Sequence, residues 1–129
     1  SSDVCSSDLL LIQKVLSLSG NLPVIVTGDF NAAPDSATIA ALTSDPSLKL
    51  TDAESLSVTP HVGGKQSSNE FQTPGPAKVI DYIFVGPGIQ VESHGYYPTI
   101  KDGVFISDHW PVVSRLAIHE RVSQMPVSK

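Results

Sequence analysis

Cysteine and methionine are nearly missing: the 129 residues hold one of each, together with a single tryptophan. A lone cysteine leaves no internal disulfide to staple the chain. Long apolar runs are missing as well. Apolar runs such as Val24-Ile25-Val26 and Ile83-Phe84-Val85 fall far short of the ~20 residues that a membrane-crossing helix needs, so no membrane span is expected. Basic residues are scarce, with 8 Lys plus Arg against 13 Asp plus Glu and a formal net charge of −5. Proteins that capture nucleic acid broadly do so by exchanging counterions on phosphates for Lys and Arg, and this balance argues against that class. No internal repeat or low-complexity tract is present.

What is present is the balance of a folding chain, with 40% hydrophobic and 16% charged residues. The length suits one domain or a part of one. Residues 1–9, Ser1-Ser2-Asp3-Val4-Cys5-Ser6-Ser7-Asp8-Leu9, match the conceptual translation of a sequencing-library adapter and are set apart from the fold. The only cysteine goes with them, and thiolate chemistry with it. Setting aside Asp3 and Asp8 takes the 13 acidic residues to 11 against 8 basic ones, and the charge from −5 to −3. The domain is expected over residues 10–120, with a frayed tail over 121–129.

Leu11, Ile12, Val15, Leu16 and Leu18 recur at helical spacing within residues 10–18, and Gly20 supplies a C-cap. The β-branched run from Val24 to Thr27 lacks polar alternation, as a strand covered on both faces does. Asp35-Ser36 offers an N-cap for a short helix over residues 37–42. Residues 57–78 are rich in Gly, Ser, Pro, Asn and Gln, show neither hydrophobic period, and predict a long surface loop of the binding or disordered kind. Strands are expected over residues 79–85, 89–97 and 111–118, with turns at Gly86-Pro87-Gly88 and Asp102-Gly103.

Three segments could carry chemistry. Thr27-Gly28-Asp29-Phe30-Asn31 ends the first strand, and alternation along a strand would put Asp29 and Asn31 on one side with Phe30 on the other. In Val79-Ile80-Asp81-Tyr82-Ile83-Phe84-Val85, Asp81 shares a face with apolar neighbours, where a carboxylate needs a partner. Ser107-Asp108-His109-Trp110-Pro111 sets an acid and an imidazole just before the last strand. A histidine beside a buried carboxylate is held as the imidazolium, and Asp81 is the expected partner of His109. Singly, each segment also reads as an ordinary turn or an exposed strand edge.

In this order the three segments resemble the signatures of the endonuclease/exonuclease/phosphatase family: a strand ending in Gly-Asp-x-Asn, an Ile-Asp-Tyr strand and a Ser-Asp-His segment, over residues 10–118. The resemblance implies an α/β fold, the C-terminal half of a four-layer DNase I-like sandwich, supplying mainly one sheet with flanking helices. It implies phosphate-ester hydrolysis by in-line attack of water, assisted by Mg²⁺ or Mn²⁺. On that resemblance, Asp29 would orient the water and join the metal site with Asp108, and Asn31 would hydrogen-bond the phosphoryl group. His109 would contact the phosphate, oriented by Asp81, and Lys65 could touch it from the loop.

Substrates implied by the family are nucleic acid, a phospholipid headgroup or a sugar phosphate. The family's N-terminal Asn, metal-binding Glu and further His have no counterpart in this chain, so the polypeptide as written is expected to be inactive or barely active, and its parent an enzyme. A non-catalytic binding module that keeps the fold without a complete metal site is the alternative. His61, His94 and His119 show no metal-ligand spacing and are expected to pack or face solvent. Packing is also expected of Tyr96, Tyr97 and Trp110.

Overall fold

Helix α1 (Ser6–Ser19) opens the computed structural model, which describes residues 6–119. Its first turn is formed by residues of the adapter-like segment, and Asp8 accepts a hydrogen bond from the Thr38 hydroxyl at 3.0 Å. Of the apolar stripe, Ile12 is buried and Leu11 and Val15 are partly so, whereas Leu16 and Leu18 stay exposed. Gly20 ends the helix at a φ of +52°, the left-handed geometry of a C-cap. Strand β1 (Ile25–Asp29) follows, then α2 (Ala37–Ser44), whose N-terminus is capped by Ser36 accepting from the Ile39 amide.

Two short elements had no sequence signal: β2 (Thr51–Asp52) and α3 (Ala53–Leu56). The expected later strands are present as β3 (Asp81–Val85), β4 (Ile89–Tyr96) and β7 (Val112–Ile118), with a small hairpin of β5 (Ile100–Lys101) and β6 (Val104–Phe105) around Asp102-Gly103. Strand β3 starts at Asp81, two residues later than the apolar pattern suggests. Hydrogen bonding joins β1, β3 and β2 in the order β1-β3-β2, and β4 pairs antiparallel with β7. The larger core cluster lies on the face of β1 and β3 that carries Val26, Tyr82 and Phe84, packed against Ile12, Ile39 and Leu42 of the helices. Val85 faces the other way, with Val91, Ile89 and Ala53.

Two expectations give way here. The run Val24-Ile25-Val26 is covered on one face only: Val26 packs into the core but Ile25 is 41% exposed, because β1 is the edge strand of its sheet. Residues 57–78 are not a plain surface loop. Ser67, Ser68 and Asn69 are buried at 0–4% exposure, held by hydrogen bonds to residues distant in sequence, which no local period can reveal. The tail expected at 121–129 lies outside the described residues.

Open strand edges at β1, with Ile25 exposed, and at β7, with Val113 and Ile118 exposed, favour association. The 129-residue chain on its own is expected to sediment as concentration-dependent oligomers. A monomer that unfolds cooperatively across that concentration range would contradict this.

Candidate active site

Strands β1 and β3 run antiparallel in a register that sets Asp29 directly opposite Asp81. Two carboxylates facing each other across a ladder repel, and the arrangement needs a cation between or beside them. His109 fills that place. Its Nδ1 donates to Asp81 Oδ2 at 2.7 Å, and its Nε2 lies 3.9 Å from Asp29 Oδ2. The hydrogen bond to Asp81 holds His109 above the ordinary histidine range, against a smaller opposing effect of burial, and the nearby charges of Asp108 and Asp29 add to the rise. With Nδ1 engaged by Asp81, Nε2 is the ring atom left toward Asp29. Asp29 and Asp81 border one open cleft with Gly28 and Trp110, and His109 borders the neighbouring one with Thr99, Ile106 and Trp110.

The segment bearing His109 is fixed by the buried part of the long connection. Asn69 donates from Nδ2 to the Ser107 carbonyl at 3.0 Å, and its backbone amide donates to the Asp108 carbonyl at 2.8 Å. The Trp110 amide donates to the Ser67 carbonyl at 2.8 Å, and its indole to Gln66 at 3.2 Å. Ser67 Oγ also accepts from the amides of Ile80 and Asp81 at 2.9 and 3.1 Å. One buried serine and one buried asparagine therefore lock the start of β3 and the 107–110 segment to the same scaffold, which sets the distance between Asp81 and His109.

Asp29 is placed by its own turn. Strand β1 ends there, and Asn31 adopts a left-handed φ of +48° with its amide donating to Asp29 Oδ1 at 2.8 Å. Strand alternation accordingly does not reach Asn31, because the chain has already turned; asparagine tolerates that conformation better than most residues. Phe30 points inward, edge-on to Tyr82 and Phe84. The Tyr82 hydroxyl, 2.6 Å from the Ala32 carbonyl, ties this turn to β3.

Asp29, Asp81 and His109 thus converge, each offering a ligand atom within 4.8 Å of the others. Asn31 and Asp108 are adjacent in sequence to this group, and both are exposed. Lys65 is not brought to it. Its ammonium lies 2.9 Å from Glu54 Oε1 in a separate cavity, attracted there by the nearer carboxylate. Lys78 pairs with Glu70. Tyr96 and Trp110 are buried in the core, Tyr97 is partly exposed, and His119 reaches Gln90 at the surface.

Sequence spacing missed a second convergence, of Glu54, His61 and His94, again with ligand atoms within 4.8 Å. Intervals of 7 and 33 residues match no ligand motif, and only the packing of α3 and the connection against β4 joins them.

A hard dication such as Mg²⁺ takes oxygen donors in a near-octahedral set. Asp29 and Asp108 offer carboxylates of the right chemistry, but one oxygen of Asp29 already accepts from Asn31 and the Asp81 oxygen from His109. Asp29 can thus offer its second oxygen to such an ion, whereas Asp108 is not among the residues whose ligand atoms meet there, and the remaining positions fall to water or other donors.

The chain belongs to the Endonuclease/Exonuclease/phosphatase family, whose sequence pattern matches residues 5–109. It shares 29% identity and a TM-score of 0.74 with an endonuclease/exonuclease/phosphatase from Bacteroides vulgatus, covering 88% of this chain and 43% of that one. With a mannosyl-6-phosphatase from Bacteroides thetaiotaomicron VPI-5482 the values are 28% and 0.72, over 86% and 44% of the two chains. The human Nocturnin catalytic domain with bound sulfate, at 21% identity and a TM-score of 0.64 over 87% of this chain and 40% of that one, shares the fold. No curated protein matches. The chain therefore spans less than half the length of the structures it resembles. The family is generally divalent-metal dependent, and its members are generally hydrolytic phosphoesterases.

Two measurements probe this geometry. Ser67→Ala removes one buried acceptor from two amides and is expected to lower stability by roughly 2–4 kcal/mol in urea unfolding. An NMR titration should place the His109 midpoint above the ordinary value of ~6.5, and Asp81→Asn should bring it down. Because the folded pKa is raised, the pair's contribution to stability is complete below the unfolded histidine value and is lost as pH rises through the folded one.

Proposed function

We propose that this chain forms part of a divalent-metal-dependent hydrolase of phosphate esters that works by in-line attack of water. The observation that carries the reading is the 2.7 Å bond between Asp81 and His109, which turns Nε2 of the ring toward Asp29 at 3.9 Å. A phosphoryl group seated at the rim beside these two residues would meet a fixed Nε2–H from His109 and the Asp29 carboxylate. Nε2–H stabilises the charge that builds on a non-bridging oxygen in the transition state, where a preorganised donor acts most strongly. Asp81 is a positioning residue that holds the ring and its proton. Asp29 orients the attacking water and accepts its proton, and the Asn31 carboxamide donates to a phosphoryl oxygen. Asp29 and Asp108 would hold Mg²⁺ or Mn²⁺, which when bound supplies neutralising charge.

For substrate, the scarcity of Lys and Arg favours a small phosphate ester, such as a sugar phosphate or lipid headgroup, over nucleic acid. The similarity to a protein described as a mannosyl-6-phosphatase supports the same choice. The incomplete oxygen set supports the expectation that the 129 residues alone turn over little.

The test is hydrolysis of p-nitrophenyl phosphate and bis-p-nitrophenyl phosphate by a protein carrying this chain at the full length of its relatives. Turnover is expected to require Mg²⁺ or Mn²⁺ and to stop with chelator, and Asp29→Ala or His109→Ala should each lower kcat/KM by roughly 10²–10⁴-fold. Asp81→Asn should move the alkaline limb of the pH profile to lower pH. Turnover indifferent to chelator or to these substitutions refutes the mechanism, and no turnover with any metal favours the non-catalytic binding module.

A further inference from the structure

Glu54, His61 and His94 come together through three different elements, away from Asp29 and His109. His94 lies on β4 and is 2% exposed. Residues 58–62 run alongside that strand: the Val58 amide donates to the Val91 carbonyl at 3.1 Å, Val62 to His94 at 3.2 Å, and Tyr96 back to Val62 at 2.9 Å. Gly63 permits the approach, because any side chain there would collide with the Tyr96 carbonyl. The result sets Nδ1 of His61 2.9 Å from Nδ1 of His94. Asp52 caps α3 by accepting from the Glu54 amide at 3.0 Å, and Glu54 Oε1 then lies 3.9 Å from His61 Nδ1.

We propose that Glu54, His61 and His94 form a binding site for a borderline transition-metal ion of the Zn²⁺ type, ligated by both Nδ1 atoms and the carboxylate. Two imidazoles and one carboxylate suit Zn²⁺ and not Mg²⁺. Two nitrogens each ~2.0–2.1 Å from one zinc ion lie roughly 2.9–3.4 Å apart, and the observed 2.9 Å falls at the short end of that range. His61 Nε2 donates to the Gly64 carbonyl at 2.7 Å, which orients the ring and leaves Nδ1 as its free lone pair, the usual outer contact of a metal-bound histidine.

The protonation states agree with this geometry. Burial and the neighbouring His61 hold His94 below the ordinary histidine range, the direction that favours a free lone pair over a second ring proton. Burial opposes ionisation of Glu54, but the hydrogen bond from Lys65 and the proximity of His61 outweigh it and hold the carboxyl below its usual range. With His61 Nε2 donating to Gly64, the proton between the two Nδ1 atoms is the one on His94; an ion takes its place when His94 adopts the Nε2–H tautomer, which frees both Nδ1 lone pairs and leaves the ring neutral. Lys65, 76% exposed in its side chain, can swing off Glu54 into solvent as the ion enters. Three ligands leave a further position open to the cavity that Pro34, Ser55 and Val79 help to line. An ion here would cross-link α3, the strap over residues 58–62 and β4.

The reading is independent of phosphoester hydrolysis and is tested without turnover. Zn²⁺ is titrated calorimetrically, and Co²⁺ by its visible d–d absorption, into the metal-free 129-residue chain and into His61→Gln, Glu54→Gln and Asp29→Asn. One tight equivalent is expected, at least ~100-fold weaker in His61→Gln, weakened in Glu54→Gln and unchanged in Asp29→Asn, which removes only the weaker divalent-metal site proposed at Asp29 and Asp108. In the unsubstituted chain, imidazole ¹⁵N spectra should show the Nδ1 signals of His61 and His94 moving on Zn²⁺ addition, a readout that needs no variant to fold. Absence of saturable binding, its survival in His61→Gln, its loss in Asp29→Asn, or unmoved Nδ1 signals would overturn the proposal.

Discussion

Two aspartates face each other across an antiparallel ladder, and everything at the candidate site follows from how their mutual repulsion is relieved. Asp29 and Asp81 are register partners, so the sheet that creates the site also creates the electrostatic conflict within it. The structure answers with one imidazole, hydrogen-bonded to Asp81 and facing Asp29, whose protonation both carboxylates favour. That arrangement is self-consistent: the carboxylates keep the ring charged, and the charged ring keeps the carboxylates together. Remove the cation and the register itself becomes less favourable.

The histidine cannot occupy that place by strand geometry alone, since it lies outside any long strand. Its position depends on a buried polar hub, Ser67 and Asn69, whose hydrogen bonds reach both the start of β3 and the segment carrying Asp108 and His109. Buried polar groups are tolerated when fully paired, and such networks favour one arrangement over near alternatives. The long connection thereby does for the late histidine what the Asx turn at Asn31 does for the early aspartate. Each functional side chain is held by a turn or a hub, while the strands supply only the platform.

The same connection bears His61 at one end and the serine and asparagine hub further along. Its first part straps β4 and brings His61 against His94, and its second part clasps the 107–110 segment. One irregular stretch therefore links the two clusters of chemistry-bearing residues physically.

Much of the candidate site is legible in the amino-acid order because short strands and their flanking turns are local. The Gly-Asp-x-Asn ending, the Ile-Asp-Tyr run and the Ser-Asp-His segment each carry their meaning within a few residues, and the need of a carboxylate among apolar neighbours for a partner points from Asp81 to His109. The edge position of β1, the left-handed turn that takes Asn31 off the strand and the capture of Lys65 by Glu54 were decided by tertiary neighbours. So were the burial of Ser67 and Asn69 and the meeting of Glu54, His61 and His94. The amino-acid order alone marked Asp29, Asn31, Asp81, Asp108 and His109 as candidates and predicted the longer strands that carry or flank them, since residue type and period are properties of neighbours along the chain. Only the tertiary structure decided which of them meet, because hydrogen bonds between residues 30 or more positions apart leave no periodic trace.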